Sequence, residues 1–379
     1  MIDFRNSVNL KGANVKNKSK LLLSMLGLVI LSGVVFFFKY HFKDFTAREE
    51  KFSEVLNVYN WNEYIGKETI KNFEEKFGIK VNYKTFEDEE ALFTALQSEP
   101  GKYDVVVAST ELVENLIDAR LLAEVDYSNI PNYEDVEGHL LNLSDERVNK
   151  VAVPYLWGTT GLIINTKHVQ DESHSWSVLW DKNYNGKMAM LNNPYVVFHP
   201  QLFMKGVSIS TNDLKILNEI GEVLIHQKPL LKGYLEPIEM RDLLVNEKLW
   251  AAQLYSGEAL QAIEGNSNLK YFIPKEGGEL WVDYWVIPRL SPHKRTAELF
   301  INYILEPKVI AKITDELWYA NSNKASAPYI NPEVTNNKSV YPDEEVLNRC
   351  QIMKVMGAPD EIEKSRSVIN KYWTLLNRK

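Results

Sequence analysis

In the run Leu280-Trp281-Val282-Asp283-Tyr284, a ring and a carboxylate stand two residues apart, so on a strand both leave the same face. An indole face attracts a cation and a carboxylate neutralises one, so this pair offers both to a single ammonium group. An acid inside an otherwise apolar strand needs a partner, and a structural salt bridge competes with a bound cation for that role. Glu258 reads by itself as a carboxylate in the first turn of a helix. Ser109 reads as a helix cap.

Other chemistries lack their residues. Cys350 is the only cysteine, which rules out a disulfide within the chain and a cysteine-based zinc cluster. His41, His139, His168, His174, His199, His226 and His293 form no HExxH pair and no short ligand spacing. There is no GxxxxGKS/T phosphate loop and no GxSxG nucleophile elbow. A hydrolase would lack its nucleophile–base pair, and no cofactor, metal or catalytic residue is expected.

The 379 residues suffice for two domains at roughly 100–200 residues each. Nine Trp, 19 Tyr and 15 Phe mostly serve a core, and their surplus hints at an aromatic-lined site. The net charge of −8 is uneven: Arg5, Lys11, Lys16, Lys18 and Lys20 against Asp3 give the first twenty residues +4, leaving −12 for the rest. An acidic body argues against nucleic acid and suits a cationic ligand, although solubility alone accounts for bulk acidity too.

Strand and helix patterns alternate to position these residues. Val55–Tyr59 reads as a strand, Ile70, Phe73 and Phe77 as a helical face closed by Gly78, and Ile79, Val81 and Tyr83 as a half-buried strand. Ala91, Leu92, Ala95 and Leu96 form another helical face, and the strand Tyr103–Val107 precedes a helix carrying Leu112, Val113, Leu116 and Ile117. A second unit follows, with strands at 162–164, 188–191, 250–254 and 281–287 and helices at 213–224, 295–305 and near 360–376. Such alternation implies an α/β fold with a parallel sheet covered on both faces, and ligands sit beyond the carboxyl ends of its strands.

Leu21–Phe38 is a run of 18 residues without a charge, with Lys18 and Lys20 before it and Lys39 after it. Its end, Val34–Phe38, offers no A-x-A-like cleavage site, and no cysteine follows to carry a lipid. An uncleaved signal anchor is therefore favoured over a cleaved signal peptide. Residues 1–20 would be cytoplasmic, 21–38 the transmembrane helix, and 39–53 a charged tether to an extracytoplasmic or periplasmic body.

Five collinear stretches are similar to the spermidine/putrescine-binding periplasmic proteins of ABC transporters: VYNWNEYI (Val58–Ile65), YDVVVAST (Tyr103–Thr110), VPYLWGTTGLIIN (Val153–Asn165), SWSVLWDKNYNGKMAML (Ser175–Leu191) and PKEGGELWVDYWVIP (Pro274–Pro288). The resemblance implies a two-lobed periplasmic-binding-protein fold of type II. One lobe would hold 54–158 and 282–327, the other 159–281 and 328–379. It implies a non-enzymatic, monomeric receptor that captures a polyamine between the lobes and hands it to an ABC permease. A membrane-anchored sensory or interaction ectodomain for another small amine is the alternative.

The same resemblance marks Trp61, Glu63 and Tyr64 after the first strand, with Ser109 and Glu111, as ligand contacts. It adds Tyr255, Glu258 and Tyr319 to Trp281 and Asp283. The chain departs from the pattern at Asn193 and Val196, where spermidine binders carry acids, and at Glu111, where a tyrosine is common. No residue near Gln351 or Met353 clearly matches the family's last site glutamine. Two lost acids point to a diamine rather than a triamine, since a buried ammonium without an opposing carboxylate is costly.

Overall fold

The computed structural model describes residues 52–86, 88–170 and 173–378. The expected cytoplasmic segment and signal anchor, and the tether as far as residue 51, lie outside the described residues. Among the described residues, no helix is long and apolar enough to cross a membrane.

One sheet organises the body. Its main path runs β2 (Lys80–Phe86), β1 (Val55–Trp61), β3 (Val105–Ser109), β9 (Gly278–Val286), β4 (Ala152–Asn165), β7 (Ala251–Tyr255), β5 (Met188–Leu191) and β6 (Leu231–Leu235), with β8 (Leu269–Phe272) paired to β4. The pairs β1–β2, β1–β3, β5–β7 and β5–β6 are parallel. The pairs β3–β9, β4–β9 and β4–β7 are antiparallel. The sheet is thus mixed rather than parallel throughout, because β4 and β9 run between two parallel sets.

The strand expected at 162–164 is the end of β4, whose 14 residues are all buried. Pro154, Gly158 and Gly161 obscured its first part, since both residue types weaken a strand signal. Pro154 sits where the register with β9 shifts, between Pro154 and Trp157. The strand expected at 281–287 starts earlier, at Gly278.

Apolar layers cover both faces, as the alternation implied. Val105 and Val107 face the layer of Phe73, Trp285 and Phe300, while Val106 and Ala108 face that of Leu112, Tyr284 and Val286. In the other half, Met188 and Met190 face Trp176 and Tyr372, and Ala189 and Leu191 face Met240 and Leu244. Fully buried Trp285 packs against Tyr155 at 4.9 Å and Phe300 at 5.5 Å between ring centroids, so truncating it would cost about 3–5 kcal/mol.

Two caps aim helices at the strand ends. Asp88 accepts from Ala91 N at 2.7 Å to start the helix Glu89–Ser98, and Ser109 accepts from Leu112 N at 3.2 Å to start Thr110–Asp118. Glu89 and Glu111 therefore stand in first turns, just beyond β2 and β3.

Candidate functional site

The sequence-marked residues gather where β1, β3 and β7 end and β9 crosses. After β1, Asn60 Nδ2 donates to Tyr64 O at 3.0 Å and Asn60 Oδ1 accepts from Trp61 N at 2.8 Å, while Tyr155 OH donates to Tyr64 O at 3.2 Å. These bonds hold a tight loop in which Glu63 takes φ 50°, a left-handed conformation. Tyr64 is thereby turned inward.

A run of edge-on rings lines the site. Tyr64 meets Tyr319 at 5.7 Å, Tyr319 meets Trp281 at 5.0 Å and Trp281 meets Tyr255 at 5.9 Å. Two glycines permit this packing. A Cβ on Gly158 would lie 2.6 Å from the Trp281 ring, and one on Gly257 would lie 2.4 Å from the Tyr319 ring. Trp61 instead packs on Phe86 at 4.3 Å, at the margin of the run.

Asp283 lies at the centre. It is 9 % exposed and stands in register with Ser109 across β3 and β9. The Tyr64 hydroxyl faces it outside good hydrogen-bond geometry and has no other partner; the Trp281 indole N–H is also buried and unpartnered. Burial pushes the Asp283 carboxyl up to about 7, with Tyr64 opposing and Glu89 and Glu279 adding to the rise.

The other expected acids have partners within the chain. Glu63 is exposed and pairs with Arg241 at 3.1 Å. Glu111 lies 3.7 Å from Arg366, yet burial and neighbouring Glu89 hold it at about 8 against that guanidinium. Glu258 accepts the Tyr319 hydroxyl, and burial raises its pKa despite that bond.

Two further acids, Glu89 and Glu279, escaped the reading of the sequence. The Ser109 hydroxyl donates to Glu89, whose pKa burial raises, with Glu279 adding to the rise. Glu279 Oε2 accepts from Thr160 Oγ1 at 3.0 Å and lies 3.3 Å from His199 Nδ1. Glu279, Trp281 and Asp283 alternate along β9, so the spacing that singled out the last two extends one step back to the first. Glu89 had no such signal, since a glutamate after a capping aspartate reads as an ordinary helix start.

Asn193 and Val196 contribute no charge here. Asn193 Oδ1 accepts from Tyr195 N at 3.0 Å and Val196 N at 3.2 Å, and Val196 is buried in an apolar layer. Gln351 Oε1 accepts from Ile209 N at 3.1 Å. Neither Asn193 nor Val196 brings a carboxylate to the site, whereas Glu89 and Glu279 bring two that the expectation of a charge-poor site did not count. Two cavities border the helix Pro359–Leu376, one of them lined by Glu111 and Arg366.

Residues 68–342 match the model of the bacterial extracellular solute-binding proteins. The chain is 31 % identical over 343 residues to the putrescine-binding periplasmic protein of Escherichia coli (strain K12), covering 85 % of this chain and 91 % of that protein. It is 29 % identical over 307 residues to the spermidine/putrescine-binding periplasmic protein of Salmonella typhimurium, covering 80 % and 88 %. Among solved structures, the spermidine/putrescine ABC transporter substrate-binding protein of Streptococcus pneumoniae superposes with a TM-score of 0.73 at 28 % identity, covering 86 % of this chain and 100 % of that one.

Proposed function

Because this chain belongs to the bacterial extracellular solute-binding proteins, we propose that its closed site captures a polyamine outside the membrane for delivery to an ABC permease. It has the periplasmic-binding-protein fold and is a solute-binding protein, not an enzyme. The observation that carries the ligand class is Asp283: a buried carboxylate on the same strand face as Trp281, ringed by tyrosines, with no lysine or arginine paired to it among the described residues. A buried anion in that state favours a cation from outside, and the rings cover the methylenes between ammonium groups. The similarity to putrescine- and spermidine/putrescine-binding proteins supports the same class.

In this reading Tyr64, Tyr255, Trp281 and Tyr319 wall the ligand, Asp283 and Glu258 meet nitrogens, and Ser109 orients the acids around Asp283. Trp61 and Glu63 close the rim. The crossings between lobes fall within β4 near 158 and within β9 near 281. Ile330, Val334 and Val340 pack in the layer of Leu112 and Tyr284, so we place the chain's last return to the second lobe after Val340 rather than at 328. The receptor acts as a monomer tethered by the 21–38 segment.

Calorimetry of the full-length chain tests the ligand class. Putrescine, cadaverine or spermidine should bind, and N-acetylated putrescine much more weakly. Failure of every amine to bind would reject the reading.

A further inference from the structure

Glu111 sits in the first turn of the helix Thr110–Asp118, yet what covers it comes from the other half of the chain. Its side chain is 14 % exposed and lines a cavity of about 30 Å³ shared with Tyr195, His199, Leu202, Met353 and Arg366. All five belong to the second lobe as proposed above, so Glu111 is buried by lobe meeting lobe. The space holds a water or two and no organic cation. Among the described residues no group of acids and histidines is arranged to hold a metal ion.

Negative charge crowds this seam. Glu89, Glu279 and Glu114 act on Glu111, while Glu279 and Asp88 act on Glu89, and Asp283 feels both Glu89 and Glu279. Against them the second lobe sets one guanidinium, Arg366, which lies 3.7 Å from Glu111 and is shared with Asn115 Oδ1. Lys354 borders the cavity but pairs with none of these acids among the described residues. Tyr195 feels Glu111 and Glu89 from across the seam. His199 Nδ1, on a residue 2 % exposed, lies 3.3 Å from Glu279 Oε2 without completing a hydrogen bond. Burial first, and then neighbouring acids, hold Glu111 at about 8 and Glu89 above the ordinary carboxylate range. One guanidinium is too little to offset them.

We infer that Glu111 takes up a proton when the lobes close over it, and that this proton, backed by Glu89, clamps the ligand-free receptor shut in acid and lets it open in alkali. The inference rests on the two-lobe reading and not on which amine is bound. With the lobes apart Glu111 faces water and returns towards the ordinary glutamate value of about 4.3. Closure therefore binds a proton: its advantage is complete below that value and fades as pH rises through about 8. The closed-to-open ratio should fall by up to about tenfold per pH unit for each proton released. A cationic ligand brings positive charge to the neighbouring acids and closes the receptor where the empty one stands open.

Spin labels at Ala119→Cys and Asn370→Cys, with Cys350→Ser to remove the native thiol, would flank the groove between the helices Thr110–Asp118 and Pro359–Leu376. Pulsed electron resonance on the ligand-free full-length chain in detergent should read a short distance at about pH 5.5 and a longer one at about pH 9. Glu111→Gln and Glu89→Gln should each keep the short distance at the higher pH. A distance that ignores pH in the labelled parent, or variants that open with pH as the parent does, would overturn the clamp. Putrescine at the higher pH separates the two readings. If it draws the labels together while pH alone moves nothing, the clamp falls and the receptor reading stands; if neither moves them, both fall. Thermal midpoints show whether a variant folds: where one does not, the other decides, and where neither does, the parent's own pH response decides.

Discussion

Ser109 and Asp283 are register partners across β3 and β9, and one serine oxygen both caps the helix Thr110–Asp118 and donates to Glu89. A helix N-terminus is thus fixed beside two carboxylates, where its partial positive charge offsets some of their mutual repulsion. The carboxylates can be brought this close without a cation of the protein's own.

Asp283→Asn should separate binding from folding. Asp283 has no cationic partner to lose, so the ligand-free thermal midpoint should hold or rise. Amine affinity should fall by roughly 2–5 kcal/mol, the usual cost of truncating one side of a buried charge pair. Scanning calorimetry with and without putrescine measures both; a collapsed midpoint with affinity kept would mark Asp283 as structural.

Proton linkage gives a second prediction. The folded pKa of Asp283, about 7, lies above the ordinary carboxylate value of about 3.9, so in the ligand-free protein its proton favours the fold below about pH 4 and that contribution is lost as pH rises through about 7. Relative to the native protein, Asp283→Asn should therefore gain stability as pH rises. An ammonium ligand needs the ionised form, so affinity should climb between about pH 6 and 8, by up to about tenfold per unit for each carboxyl titrated. Glu111, at about 8, extends the climb upwards if its field reaches the ligand. Titrations in buffers of different ionisation enthalpy should reveal protons released on binding; none released would refute the linkage.

Gly158→Ala is a test from outside the ligand shell. Its Cβ would strike the Trp281 ring and the Ser256 hydroxyl, displacing the indole with no change in charge. Affinity should drop by about 0.5–2 kcal/mol, as for Trp281→Ala, while Trp281→Phe keeps more of the cation–π contact. Unchanged affinity in Gly158→Ala would place Trp281 outside the ligand's path.

Glu114 accepts from Val355 N at 2.9 Å, and Arg366 donates to Asn115 Oδ1 at 2.7 Å, tying the helix Thr110–Asp118 to the C-terminal part of the chain. If these bonds latch the closed lobes, Glu114→Ala and Arg366→Ala should each speed ligand release about two- to tenfold, from about 0.5–1.5 kcal/mol per bond. Stopped-flow chase experiments read this directly, and an unaltered release rate in both variants would disqualify the latch.

Residues 21–38 serve as export signal and anchor together, so the full-length chain should sediment with the membrane while a chain lacking them stays soluble in the cytoplasm. Full-length protein already soluble, with a mature N-terminus near residue 40–53, would show that the segment is cleaved.

The sequence made the paired faces of the sheet legible because side-chain alternation is local: Val105 and Val107 could be told from Val106 and Ala108 by position alone. It also made Trp281 and Asp283 legible as a pair. Ring packing was not, because Gly158 and Gly257 come next to Trp281 and Tyr319 only through tertiary contact. Nor was the fate of each acid. Whether Glu63 or Glu111 stays unpaired depends on Arg241 and Arg366, far away in the chain, and Glu89 enters the site through one hydroxyl on a neighbouring strand.

β9 joins β3 through Val106–Ser109 and β4 from Ala152 to Thr160, so the strand that carries Glu279, Trp281 and Asp283 is also a beam linking both halves of the sheet. Force applied to its side chains is felt at once by the backbone that must twist if the halves rock, and the register shift of β4 between Pro154 and Trp157 is where the pairing beside it bends. A sequence drifting towards a new amine by changes on this face would therefore retune the stiffness of the whole receptor along with its selectivity, and compensating changes would be expected at the shift rather than beside the amine.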